Sequence, residues 1–450
     1  VTLTAEPTSR PGSALWAPDR RWPTTGLVLL VTLLAFEAMG VGTAMPRMVA
    51  ELRGEALYAW PFIAFMASSL VGTVFSGRLS DLRGPKPALL LGVGLFLVGL
   101  LVAGTADSMT MLLVGRVLQG LGGGTQVVAV YVLIAAVYPD SDHPAAFGAL
   151  AAAWVVPSLV GPTFAGWATE NFTWRLVFLA LVPLVVIGLV LLVPVLRRLP
   201  VHTATPPARR FLPLAALGAA AGVAGLSWAM QHHIWWLGLV AVVVLGAALR
   251  VLLPKGTLTA RRGLPVTVLA RGLLGGTFFA VEAFIPLTLT VVHGYSPFEA
   301  GIPLTLGALG WSVAAMWQGR RTDIPRQTLV RWGFLLVSAS LAAVTLIAPS
   351  WGPAWATALI WAVTGAGMGL GMSSISVLVL RSSVDTDRGF NSAAVQISDQ
   401  LGAALFAGVG GMVVVATAPT VGVVVLAVLM AGVALLGAIL TGSRCLVDHE

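Results

Sequence analysis

GRLSDLRGPK, residues 77–86, sets four charged side chains in ten positions of a 450-residue chain in which only 10% of residues are charged. The runs on either side, 58–77 and 88–106, are continuous and apolar. A helix rises about 1.5 Å per residue, so about 20 residues cross the hydrocarbon core of a bilayer. The stretch reads as a polar turn between two membrane-spanning helices.

The same pattern extends in both directions. Apolar residues make up 57% of the chain, and the charged share is far below the roughly 25% of a soluble domain. Most of the chain therefore faces something other than water. The runs are continuous rather than alternating, which favours helices over a membrane barrel. Its 51 glycines and 27 prolines suit a membrane bundle. The expectation is an all-α polytopic protein with fourteen spans, near 25–46, 58–77, 88–106, 109–138, 144–168, 173–196, 211–230, 234–253, 266–292, 297–318, 328–348, 353–380, 389–416 and 420–441.

Charge placement supports that count. With the N-terminus inside, 22 of the 26 Lys and Arg fall in inner segments, Arg271 among them. Only Arg47, Arg53 and Arg175 fall outside, and Arg116 falls within a span. Such an asymmetry is the positive-inside pattern, and it accounts for the net charge of +8 without any nucleic-acid partner. The first 24 residues are polar and read as a cytoplasmic tail rather than a signal peptide. The single cysteine, Cys445, permits neither an intramolecular disulfide nor a cysteine metal site. His232 and His233 are adjacent in an outer turn but have no companion ligands, so no metal is expected.

The organisation reads as 6 + 2 + 6. A tail (1–24) precedes a six-helix bundle (25–196). Basic loops and two inserted spans (197–262), a second six-helix bundle (263–441) and a cytoplasmic tail (442–450) follow. The two bundles repeat weakly. Gly77-Arg78-Leu79-Ser80-Asp81 matches Gly319-Arg320-Arg321-Thr322-Asp323, and Gly120-x-Gly122-x-Gly124 matches Gly367-x-Gly369-x-Gly371. Repeated halves around a central site are the plan of many secondary transporters. No phosphate-binding Gly-rich loop is present, which argues against an ATP-driven pump. No nucleophile–base–acid set points to an enzyme.

At these residues the sequence resembles the major facilitator superfamily. Gly77, Leu79, Asp81, Gly84 and Lys86 match its signature turn, which in the family latches the two halves together on the cytoplasmic side. Here the latch residues are Gly77, Asp81, Arg83, Gly84 and Lys86. Asp81 can accept bonds from helix N-terminal N–H groups or pair with Arg83 or another cation. LLVGRVLQGLGGG (112–124) resembles the fourth-helix motif, with Leu112, Arg116, Gln119, Gly120 and Gly122 in register, and the resemblance implies a part for Arg116 in proton transfer. PSLVGPTFAG (157–166) resembles the antiporter motif of the fifth helix at Gly161, Pro162 and Gly166, with Pro157 and Ala165 in place of glycines. TWRLVFLALVP (173–183), VHGYSPFEAGIPLTLGALG (292–310) and the spacing of Glu37 to Pro46 are similar to the fourteen-span drug:proton antiporter branch. The resemblance implies a transporter without cofactors that works as a monomer in a bacterial inner membrane.

Four charged residues fall well within the expected spans: Glu37, Arg116, Glu282 and Asp399. A charge at membrane depth costs roughly 3 kcal/mol or more, so such residues are functional candidates. Glu37 lies about 18 Å into its span, where desolvation favours a carboxyl able to carry a proton. Glu282 stands on the corresponding span of the second half. Asp399 either titrates or pairs with an arginine near the inner face. Glu37, Met39, Gln119, Trp154, Glu282 and Trp311 are the expected substrate-cavity residues. The function expected is proton-coupled export of hydrophobic or amphipathic molecules such as drugs. Lipid export or flipping on the same fold is the alternative. Sugar uptake fits poorly, because Asn is almost absent from the spans.

Overall fold

In hydrocarbon an unpartnered N–H or C=O is costly, so an apolar run must satisfy its own peptide groups and coils into a helix. The computed structural model follows that rule. It describes residues 14–444 apart from 19, 55, 56, 58, 59, 200–208, 232, 233, 296, 322, 417 and 418. His232, His233 and Cys445 lie outside the described residues. Among the described residues all regular structure is helical.

The first half contains α1 (Arg21–Glu51), α2 (Trp60–Arg83), α3 (Pro85–Gly104), α4 (Met109–Val137), α5 (His143–Ala152), α6 (Val155–Asn171), α7 (Leu176–Leu179) and α8 (Leu181–Arg198). Two helices follow, α9 (Leu212–Gln231) and α10 (Trp235–Leu252). The last part contains α11 (Leu264–Glu282), α12 (Ile285–Val291), α13 (Pro297–Arg320), α14 (Arg326–Ile347), α15 (Ala356–Arg381), α16 (Arg388–Ala416) and α17 (Pro419–Arg444). Among the described residues, thirteen stretches are long and apolar enough to cross a membrane, with α5–α6, α7–α8 and α11–α12 each counting once. Helix α16, 29 residues long and polar over its first turns, packs among them against α11 and α2.

Three expected spans are not single helices. The span 144–168 breaks at Ala153–Trp154, 173–196 breaks at Ala180, and 266–292 breaks at Ala283–Phe284. Each break lies three or four residues before a proline: Pro157, Pro183 and Pro286. Proline lacks the N–H that would bond four residues back, and its ring crowds that carbonyl. Pro46, by contrast, stands inside an unbroken α1.

The turn at 77–86 is also corrected. Residues 77–83 are the last two turns of α2 rather than a loop. The chain reverses at Gly84 alone, whose φ of 76° is one that glycine adopts without a Cβ penalty. Pro85 then opens α3 at its first position, where no N–H is missed.

Side-chain packing forms two large cores. One joins α1, α3, α4, α5 and α8 through Leu30, Met45, Phe96, Leu133 and Phe147. The other joins α11 and α14–α17 to α9, α10 and the inner face of α2. The glycine repeats explain how each bundle closes. In α4, Gly120 and Gly124 meet the backbone of α2, while Gly122 meets α3. In α15, Gly369 meets α13 and Gly367 meets α14. Lipid tails supply no hydrophobic drive between helices, so such close approach is what holds a membrane bundle together. The outward faces of α8, α10 and α17 are correspondingly apolar, with Val190, Leu239 and Ile439 all exposed.

Candidate transport site and latch

Glu37 stands near the middle of α1 and is fully buried. Arg116 of α4 pairs with its Oε1. The guanidinium is fixed from three further sides. Nη1 donates to Gln119 Oε1 at 2.9 Å, Nε donates to the Pro61 carbonyl at 3.2 Å, and the group lies 4.5 Å from the centre of the Phe65 ring. Glu37 Oε2 and Gln119 Nε2 are buried with no hydrogen-bond partner. The whole cluster belongs to α1, α2 and α4.

A second buried pair lies in the other half. Arg271, counted in the sequence as an inner-loop charge, is instead buried in the second turn of α11. Its Nη2 donates to Asp399 Oδ2 of α16 at 3.1 Å. Its Nη1 donates to the Met372 carbonyl and to Ser376 Oγ of α15, at 3.0 and 3.1 Å. Asp399 Oδ1 and Arg271 Nε have no partner. Gly275, one turn along α11, leaves the space that Asp399 fills, since a Cβ there would overlap Oδ1.

The two halves meet tightly at the end of the bundle that carries the α2–α3 turn, the basic end. Asp81 is buried and accepts two backbone N–H bonds from the first turn of α16, from Gly389 at 2.6 Å and Phe390 at 3.0 Å. A helix N-terminus offers unsatisfied N–H groups and a positive dipole end, which suits a carboxylate. Gly77 and Gly389 lie backbone to backbone: a Cβ on Gly77 would come within 2.6 Å of the Gly389 carbonyl oxygen. Arg83 and Lys86 are exposed. The cation at this joint is Arg209, just before α9, which bonds Asp387 Oδ1 at 3.0 Å and lies 3.3 Å from the centre of the Phe390 ring. Burial lowers its pKa, and Asp387 and Asp81 oppose that. Gln318 of α13 donates to the Pro144 carbonyl at the same end, and Ser312 donates to the Ala151 carbonyl further along α13.

The remaining expected site residues are dispersed. Gln119 faces Arg116 rather than an open space. Met39 and Trp154 are exposed on the bundle. Trp311 packs edge-on against Phe278 at 5.8 Å, which stacks on Trp361 at 5.4 Å. Glu282 ends α11 at the break before Pro286 and is partly buried. Gly161 sits 3.3 Å, measured from a Cβ position, from Met39 Cβ, and Gly166 sits 3.8 Å from Thr43, so this stretch lays α6 along α1. Pro157 stands in the first turn of α6 just after the break, and α6 continues across position 162. Sequence reasoning missed Arg271 and Arg209. For Arg271 the available signal was its place inside the apolar run 266–292, which the topology count passed over.

The sequence model of the Major Facilitator Superfamily matches residues 27–407. The chain belongs to the Major Facilitator Superfamily. That family is one of membrane transporters, and the described residues of this chain carry the helices of a multi-pass membrane protein. An uncharacterized MFS-type transporter of Mycobacterium tuberculosis (strain H37Rv) is 30% identical over 432 residues, covering 89% of this chain and 60% of that protein. This chain thus spans about 60% of the length of that relative. The multidrug transporter protein MdtP of Bacillus subtilis is 24% identical over 397 residues, 84% of this chain and 72% of that one. Among solved structures, a bacterial homologue of the iron transporter ferroportin in an outward-facing state shares the fold with a TM-score of 0.70. The identity is 14%, over 94% of this chain and 98% of that one. The human organic anion transporter MFSD10 gives 0.68 at 16% identity, over 94% and 99%.

Proposed function

We propose that this superfamily member is a proton-coupled exporter of hydrophobic or amphipathic compounds, drugs among them, acting as a monomer by alternating access. The observation that carries the reading is Glu37. It is a carboxylate fully buried in mid-membrane, held by Arg116 through one oxygen and left with the other unpartnered. Intramembrane acids of this kind mark proton relays. A multidrug name among the relatives supports the substrate class.

The bundles 25–196 and 263–441 rock against each other, with 197–262 inserted between them. The basic end faces the cytoplasm of a bacterial inner membrane, as the positive-inside pattern implies, and both termini lie on that side. The docking of Asp81 on α16 supports a closed basic end in this conformation. Glu37, Arg116, Glu282 and Asp399 take part in proton coupling.

The test is transport in liposomes under an imposed pH gradient, following a lipophilic cationic dye. Wild type should move dye with the gradient, and Glu37→Gln should lose that movement while eluting as a folded monomer. Gradient-driven transport retained in Glu37→Gln would sink the proton-site assignment. Movement of fluorescent lipid with no movement of dye would replace drugs by lipids as the cargo.

A further inference from the structure

The charge of this chain is not spread evenly. Eight of its 26 Lys and Arg lie in 197–262, and none of its 18 Asp and Glu does. The rest of the chain holds 18 of each sign, so the net charge of +8 belongs to this segment alone. The positive-inside pattern asks for cations at inner ends but does not exclude acids. Elsewhere at the basic end the two signs meet: Arg20 with Asp142, Arg321 with Asp323 and Arg388 with Asp385. Of the cations in 197–262, Arg209 alone reaches a carboxylate among the described residues, that of Asp387.

Five of these cations gather where α9 and α10 meet. The two helices run antiparallel, with Gly222 against Ala241 and Leu245, and Gly218 against Val244 and Ala248. That register sets Arg210, at the start of α9, level with Pro254, just past the end of α10. Arg250 stands in the last turn of α10, and Lys255, Arg261 and Arg262 stand in the turn that follows. All five residues are exposed. The turn 254–263 has a fixed shape. Gly256 and Gly263 have φ of 93° and 89°, and Ala260 has 50°, a region uncommon for a residue with a Cβ. Such a conformation persists where its surroundings over-determine it. Here the buried Thr257 hydroxyl donates to the Pro254 carbonyl at 2.8 Å. The Arg261 N–H donates to the Gly256 carbonyl at 3.0 Å, and the Val266 N–H of α11 donates to the Arg261 carbonyl at 3.0 Å. The Arg261 side chain lies along Gly256, where a Cβ would overlap it. The turn thus holds like charges together with no acid beside them. Phe211, Leu214, Val251 and Leu258 flank the cluster as exposed apolar side chains.

We propose that this inner corner of the inserted helix pair binds an anionic phospholipid. Its phosphate lies among Arg210, Lys255, Arg261 and Arg262, and its acyl chains run along the exposed faces of α9 and α10. Charge complementarity and the apolar flank together choose the occupant. A free phosphate would use the cations and leave the flank idle. A zwitterionic lipid would use the flank and bring its own cation to the cluster. A lipid of net negative charge uses both. The site does not depend on what the protein carries. Arg209, next in the chain to Arg210, faces Asp387 and the Phe390 ring beside the Asp81 contact. The lipid is therefore seated one residue from the contact between the two bundles.

The experiment is native mass spectrometry of the full chain in detergent, titrated with phosphatidylglycerol or with phosphatidylethanolamine of the same acyl chains. One cation near an anionic lipid surface contributes about a fivefold preference, so the parent should hold phosphatidylglycerol at least about tenfold more tightly. Joint replacement by Arg210→Gln, Lys255→Gln, Arg261→Gln and Arg262→Gln should bring the two lipids to equal affinity. A second variant carries Arg197→Gln, Arg198→Gln, Arg320→Gln and Arg331→Gln. It loses the same charge from exposed positions outside the corner and should keep the parent's affinity. Gly256→Ala keeps every charge, displaces Arg261 and should bind phosphatidylglycerol several-fold more weakly. Equal weakening in the two fourfold variants would overturn the proposal, because net charge alone would then explain the binding. Equal affinity of the parent for both lipids would overturn it too. Release of the bound lipid by inorganic phosphate would replace the lipid by a free anion. Should the first fourfold variant not fold, Gly256→Ala decides alone, and unchanged affinity there would overturn the site.

Discussion

Each half of the molecule buries one arginine–carboxylate pair, and the two pairs are built differently. In the first, Glu37 on α1 meets Arg116 on α4, and every ligand of the arginine comes from α1, α2 or α4. In the second, the arginine sits on the helix corresponding to α1, the acid sits on α16, and the arginine's other ligands, Met372 and Ser376, come from α15. The first pair is fully enclosed, with Glu37 and Arg116 both buried. The second joins three helices of the last part, α11, α15 and α16. The first pair is closed off on both sides, whereas the Asp399 side chain of the second keeps 19% of its surface.

Substitutions can break or sharpen that contrast. The largest effect is expected from Arg116→Ala, which leaves Glu37 buried with no counter-charge. Breaking a buried pair in this way costs about 3–5 kcal/mol, to be read as a large fall in thermal stability in detergent. Removing both partners, in Arg116→Ala with Glu37→Ala, should recover most of it. No recovery would mean that Arg116 acts through Pro61 and Phe65 rather than through Glu37. Next comes Gly275→Ala, which keeps every charge but fills the space of Asp399 Oδ1. Overpacking of this kind costs about 1–3 kcal/mol, and here it should appear as a smaller fall in the same thermal stability, with Glu37 unaffected. The smallest effect is expected from Arg209→Gln. A partly exposed pair and one ring contact contribute about 0.5–1 kcal/mol each at most. The expected result is a few-fold rise in labelling of a cysteine placed at Ser141 and an unchanged melting temperature.

The sequence made the helical membrane fold legible because length, apolar content and basic bias each constrain the answer independently. Glu37 and Arg116 stood out for the same reason: two opposite charges at membrane depth have few partners except each other. The end of α2 was harder to read. Composition marks where an apolar run stops, at Gly77, while the helix stops where the backbone changes sign, at Gly84. The partner of Asp81 was named only in kind, as a helix N-terminus, because nothing near residue 81 identifies residues 389 and 390. Arg271 was hidden by its position. A basic residue two turns into a membrane helix ordinarily extends toward the headgroups, and its acid lies 128 positions away. The breaks at 153, 180 and 283 were written in Pro157, Pro183 and Pro286, but Pro46 stands in an intact helix, so proline alone does not locate a break.

The contact of Gly77 with Gly389 bears on how fast such a molecule can cycle. Where two faces close through long side chains, every closure freezes rotamers that every opening releases, at up to about 2 kcal/mol for each long side chain. Here peptide meets peptide, and neither residue has a rotamer to lose. In the alternating access proposed above, this Gly77–Gly389 part of the joint would re-form from groups already ordered and add little side-chain entropy to the cost of closing.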